Sequence, residues 1–103
     1  MNLEKNRKTA DLLTICFKAG KAVKGFDPAI EALKKGMVYC IITALDASAK
    51  TVKEVEFSCD KYEAVHLPSG LSKDDIGRLS GKSAAVIAVC DKGFADGFAK
   101  LLR

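Results

Sequence analysis

Gly20-Lys21-Ala22-Val23-Lys24-Gly25-Phe26-Asp27-Pro28-Ala29-Ile30-Glu31-Ala32-Leu33-Lys34-Lys35-Gly36 decides how this chain is read, because glycines, lysines and a helix start converge in it. Asp27 is a preferred N-cap, and Pro28 then takes the first helical position, where a missing N–H costs nothing. Ala29, Ile30, Leu33 and Met37 recur at three- and four-residue spacing. Lys34 and Lys35 complement the negative C-terminal end of the helix dipole, and Gly36 can end the helix in a left-handed conformation. The stretch therefore predicts a short amphipathic helix between two glycine turns.

Leu3 through Lys18 carries the apolar stripe Ala10, Leu12, Leu13, Cys16 and Phe17 of a first helix, which Gly20 closes. Ala22 to Lys24 is a very short extended piece. Val38 to Ala44 is a continuous apolar, β-branched run, the pattern of a central strand covered on both faces. Asp46 and Ser48 can cap a third helix running to about Tyr62, with Val52, Val55, Cys59 and Tyr62 on its buried side. Ala64 to Leu67 reads as a short strand stopped by Pro68-Ser69-Gly70, and Ser72 caps a helical turn to about Leu79. After the loop Ser80 to Ser83, Ala84 to Cys90 is a second buried strand. Asp91 opens a last helix with Phe94, Phe98, Leu101 and Leu102 inward. This alternation predicts an α/β fold with a sheet of about four strands between helix layers.

With 103 residues, 49% of them apolar, the chain buries one core of ordinary size, so a single domain over residues 1–103 is expected. Met1 to Arg7 is charged, and the longest uncharged run, Gly36 to Leu45, is about half of what a membrane span requires, so neither a signal peptide nor a membrane anchor is expected. Cys16, Cys40, Cys59 and Cys90 lie far apart without a CxxC pair, which argues against a metal knuckle or a disulfide framework and fits a reducing cytoplasm. The net charge of +4 is unevenly spread. Residues 1–36 carry eight basic and four acidic side chains, residues 37–67 three and five, and residues 68–103 six and four. Two basic thirds around an acidic middle suit an anionic partner such as nucleic acid; an ordinary solvated surface accounts for the same charges.

No constellation of residues amounts to an active site. Gly81-Lys82-Ser83 resembles the end of a phosphate-binding P-loop, but the glycine that motif needs five residues earlier is Ile76, and a strand follows instead of a helix. His66, the one histidine, sits on a short apolar strand without a carboxylate or cysteine at a meaningful spacing and reads as structural. The cysteines read as buried packing residues, although a thiol site remains an alternative. No catalytic residue, metal or cofactor is expected. What remains is basic material around turns: Lys18, Lys21 and Lys24 near the first glycine turn, and Lys73, Arg78 and Lys82 around the loop before the last strand. Helix N-termini and glycine turns offer backbone N–H groups to phosphates, and lysines add affinity without reading sequence. Phe26 is the one aromatic of that stretch placed to stack on a base, and a core position suits it better.

These residues carry a resemblance. Gly20 to Gly25, the helix ending Ala32-Leu33-Lys34-Lys35-Gly36, the strand leading to Ala44-Leu45-Asp46-Ala47-Ser48, the block Ser72 to Ala88, and Asp91-Lys92-Gly93-Phe94-Ala95 together resemble the ribosomal protein L7Ae/L30e/S12e family, most of all its short bacterial members. The resemblance implies a three-layer α/β/α sandwich with a mixed sheet and a non-enzymatic protein that binds structured RNA, in typical members a kink-turn with tandem sheared G·A pairs. It also implies association with ribosomes or translation, with RNA, including ribosomal RNA, as partner to a cytoplasmic monomer. In typical members an asparagine, a glutamate and a lysine after the glycine matching Gly25 reach the guanines, and the loop matching Gly81 to Ala85 packs on a flipped-out base. Here those three positions hold Asp27, Pro28 and Glu31. Asp27 accepts from a guanine edge but cannot donate, Pro28 has no polar side chain, and Glu31 is negative where the family is positive. The expected RNA contacts are Lys21, Lys24, Gly25, Phe26, Asp27, Glu31, Lys34, Arg78, Lys82, Ser83 and Ala84. The alternative is a protein-interaction scaffold that keeps the fold and has lost specific RNA readout.

Overall fold

The computed structural model describes residues 3–103; Met1 and Asn2 of the expected domain lie outside the described residues. Its elements are α1 (Leu3–Lys18), β1 (Ala22–Lys24), α2 (Phe26–Lys34), β2 (Cys40–Thr43), α3 (Ala49–Tyr62), β3 (Val65–Pro68), α4 (Lys73–Ser80), β4 (Val86–Val89) and α5 (Lys92–Leu102). The four strands form one mixed sheet in the order β1-β4-β2-β3. β4 runs antiparallel to both β1 and β2, pairing Lys24 with Ile87 and Thr43 with Val86, whereas β2 and β3 are parallel, pairing Cys40 with Val65. The two fully buried runs thus become the two central strands, as their unbroken apolar character requires.

Alternation along those strands builds a core on each face. Cys40, Ile42, Ile87 and Val89 point to one side, where they meet Leu13 and Cys16 of α1, Ile76 of α4 and Phe98 of α5. Ile41, Val86 and Ala88 point to the other, against Ala29 and Leu33 of α2 and Val55 and Cys59 of α3. Successive strand side chains face opposite ways, so a three-layer sandwich follows directly from this register.

Helix ends follow the capping residues in the sequence, with two departures. Ser48 accepts from the Thr51 amide to start α3, and Asp91 accepts from the Phe94 amide to start α5. Asp46 does not cap α3; its Oδ1 accepts from the Lys73 amide at 2.9 Å, so it helps start α4 from across the fold. In α2, Asp27 is not the N-cap. The helix opens one residue before Asp27, with Gly25 as N-cap and Asp27 and Pro28 inside the first turn. Gly36 does end α2 with φ +74°; its amide bonds the Leu33 carbonyl, the Met37 amide bonds that of Ala32, and Met37 emerges exposed instead of buried. Pro68 is the last residue of β3 and not its stop, a position an edge strand tolerates because no ladder donor is needed there.

Candidate nucleic-acid interface

Gly25 is where the edge of the sheet becomes a helix. Its amide donates to the Val86 carbonyl at 2.9 Å, and its own carbonyl accepts from the Ala29 amide at 3.0 Å. Both bonds hold with φ at +105°, a backbone region that side-chain-bearing residues rarely enter, so the glycine starts α2 without a side-chain cap. That is the reason Asp27 is not needed as a cap. Among the described residues the amides of Phe26 and Asp27 carry no hydrogen bond at this helix start, and the carboxylate of Asp27 stands exposed. Pro28 adds no donor to this turn.

The bond from Gly25 to Val86 places the α2 start beside the segment entering β4, and two further contacts fix that segment. Gly77 of α4 faces the loop so closely that an added Cβ would lie 3.0 Å from the Ser83 nitrogen and 3.1 Å from its Cα, so any side chain there would push the loop backbone away by a few tenths of an ångström. Lys24 Nζ donates to the Ser80 carbonyl at 2.9 Å and to Ser80 Oγ at 3.1 Å, strapping β1 to the C-terminal turn of α4. A cation at the negative end of a helix is favourable. Two of the three Lys24 N–H bonds are thus spent inside the protein, and one is left for a ligand.

The predicted contact residues fall into three groups. Gly25, Phe26 and Asp27 lie at the α2 start, Glu31 one turn further along its exposed side, and Lys82, Ser83 and Ala84 on the adjacent loop; Lys82 and Ser83 are exposed, whereas Ala84 is half-buried against the α1 and α5 core. Lys21 and Lys34 sit elsewhere. The Lys21 backbone bonds Cys16 and Cys90 at the opposite end of β1, and Lys34 ends α2, about 13 Å from its start at 1.5 Å per residue. Arg78 is paired with Asp75, the residue that completes the α4 capping box with Ser72. The Ser72 amide, and after it the Arg78 guanidinium, hold the Asp75 carboxyl below its usual range.

Burial pushes the Cys16 and Cys59 thiols up to about 11 and that of Cys40 to about 12, so they are protonated at neutral pH and poor nucleophiles. His66 Nε2 lies 2.8 Å from Thr43 Oγ1, and burial holds its pKa below the ordinary value against the opposing pull of Glu56. It is a packed strand residue, as its apolar neighbours in the sequence suggest. Among the described residues no group of three or more His, Cys, Asp or Glu is arranged to hold a metal ion, and no helix is long and apolar enough to cross a membrane.

One aromatic at this end of the molecule escaped the sequence reading. Phe57 projects from α3 and lines a cleft with Phe26, yet it is 69% exposed. Its signal lay in register: Val55 and Cys59 define the buried side of α3, and Phe57 falls midway between them on the opposite side.

Residues 7–98 match the Ribosomal protein L7Ae/L30e/S12e/Gadd45 family. An RNA-binding protein YlxQ from Bacillus subtilis (strain 168) is 35% identical over 92 residues, which make up 88% of this chain and 91% of that protein. An RNA-binding protein YlxQ from Enterococcus faecium is 30% identical over 95 residues, 92% of this chain and 91% of that one. Among solved structures, a protein with unknown function from Bacillus halodurans C superposes with a TM-score of 0.84 at 28% identity, covering 93% of this chain and 96% of its own. The Giardia lamblia 15.5kD RNA binding protein superposes with a TM-score of 0.78 over 98% of this chain and 87% of its own; at 16% identity that likeness is one of fold.

Proposed function

The chain belongs to the Ribosomal protein L7Ae/L30e/S12e/Gadd45 family, and from that premise we propose that it acts by binding structured RNA, not by catalysis, with the α2 start and the 81–84 loop as its contact edge. The observation that carries this reading is the juxtaposition of an uncapped helix start with an exposed, lysine-bearing loop. Free amides at a helix N-terminus attract phosphate, and Lys82 adds an exposed cation. The Asp27 and Glu31 carboxylates repel phosphate but accept from the N1–H and N2–H groups of a guanine edge. The reading is therefore backbone contact at the loop and the helix amides, with weaker base reading than in relatives that carry asparagine and lysine at those positions. Ribosomal RNA in the cytoplasm is the partner this role implies, and one copy of the chain suffices for it.

Titration of a fluorescent kink-turn RNA, the same RNA with its G·A pairs replaced, and a plain duplex, each at two salt concentrations, tests this. The expected result is binding of all three that falls steeply with salt, with the kink-turn preferred by a few-fold. Absence of binding to any of them would overturn the reading and favour a scaffold role, which the acid and proline of the α2 start would then explain. Restoring the family's side chains with Asp27→Asn, Pro28→Glu and Glu31→Lys is expected to raise the kink-turn preference, since it replaces two anions and a non-donor by groups that pair with guanine and phosphate.

A further inference from the structure

Phe26 and Phe57, with Lys53, Glu54 and Ser58, line an open cleft of about 330 Å³ at the junction of α2 and α3. The chemistry of these residues is not that of a core. Phe26 is half-buried and rests on the α2 and α3 cluster, while Phe57 exposes 69% of its surface on the solvent side of α3. Lys53 stands four residues before Phe57, on the same side of the helix. Phe26 is also the residue that follows Gly25, so the cleft continues from the contact edge described above.

We propose that this cleft takes an unpaired nucleobase from a single-stranded segment flanking the bound RNA, an inference that rests on the RNA-binding reading. An exposed aromatic ring beside a lysine is the combination that single-stranded nucleic acid uses: the base stacks on the ring, and the ammonium meets the phosphate. Glu54 turns a phosphate away from the cleft and accepts from the amino group of a base, which orients the nucleotide with its base inward and its backbone toward Lys53. The volume suits one or two bases and is small for a docked helix. Stacking tolerates every base, so this site would lengthen the RNA footprint without adding sequence specificity.

The test compares a blunt kink-turn RNA with versions carrying five unpaired adenosines at one end or the other, and with matching five-residue abasic extensions. Wild-type protein is expected to bind at least one adenosine-extended RNA about tenfold more tightly than the blunt RNA, and the abasic version no more tightly than the blunt one. Phe57→Ala and Phe57→Leu should lose that gain while binding blunt RNA as wild type does, and Phe57→Trp should keep it. Because the ring is largely exposed, these variants should keep the fold, which circular dichroism checks before the titrations. Equal binding of blunt and adenosine-extended RNAs by wild type, an equal gain from abasic extensions, or a gain that survives Phe57→Ala and Phe57→Leu would each overturn the proposal and turn the cleft into a protein-facing surface. Those outcomes leave the contact edge standing; failure of wild type to bind the blunt RNA counts against the edge itself.

Discussion

Two helices begin in this fold with opposite economies of hydrogen bonding. At the start of α4, Ser72 Oγ accepts from the Asp75 amide, Asp75 accepts from the Ser72 amide, and Asp46 accepts from the Lys73 amide. At the start of α2, one glycine held at φ +105° bonds Val86 and Ala29 through its backbone, and no side chain caps the turn. A helix start closed by side-chain acceptors is a structural joint; one held from the backbone leaves its first amides without a partner. The comparison separates stability from ligand contact on two elements of similar length, and variants at the two starts should divide the same way.

The largest effect is expected at Gly25. Gly25→Val forces a β-branched residue into a left-handed backbone region and should lower the unfolding free energy by about 2 kcal/mol in urea titrations, while RNA affinity falls with the distorted α2 start. Next, Ser72→Ala removes the α4 cap and should cost about 1 kcal/mol of stability with RNA affinity unchanged. Asp27→Ala should do the reverse. It leaves stability within about 0.5 kcal/mol, as for an exposed residue without partners, and it tightens duplex binding severalfold while erasing the preference for G·A pairs. Equal stability losses from Ser72→Ala and Asp27→Ala would break the comparison. A smaller effect belongs to Lys82→Ala, which should reduce the slope of log affinity against log salt by about one.

The smallest effect serves as a control remote from both helix starts. Burial lowers the His66 pKa below its ordinary 6.5 in the folded state, so the unfolded chain takes up that proton first on acidification. The stability at stake is full above about 6.5 and declines as pH falls below it. His66→Gln should flatten that decline, seen as a thermal midpoint that varies less between pH 7 and pH 5, with RNA binding at neutral pH unchanged.

Most of the fold was legible because its signals are local. Unbroken apolar runs at Ile41 and Ile87 mark central strands, and Ser48, Ser72 and Asp91 mark helix starts by a chemistry that needs no distant partner. What local reading missed involves residues that meet across the fold. Asp46 looks like the cap of the helix nearest in sequence, and only the packing of α4 against the loop after β2 turns it to Lys73. Asp27 looks like a cap until Val86 fixes Gly25 in a conformation that makes one unnecessary. The candidate site divided along the same line. The α2 start and the 81–84 loop could be named from glycines and lysines, whereas the strap from Lys24 to Ser80 depends on tertiary register. The pairing of Arg78 with Asp75 is an i,i+3 contact within α4, and the distance of Lys34 from the α2 start follows from helix length, so both were open to local reading.

The most direct test of the open helix start is an amide map of the complex. In two-dimensional NMR of ¹⁵N-labelled protein titrated with kink-turn RNA, the amides of Phe26, Asp27 and residues 81–84 should show the largest shifts, and those of Lys73 to Asp75 should stay in place. Shifts that spare the α2 start and gather at α4 or elsewhere would contradict the account.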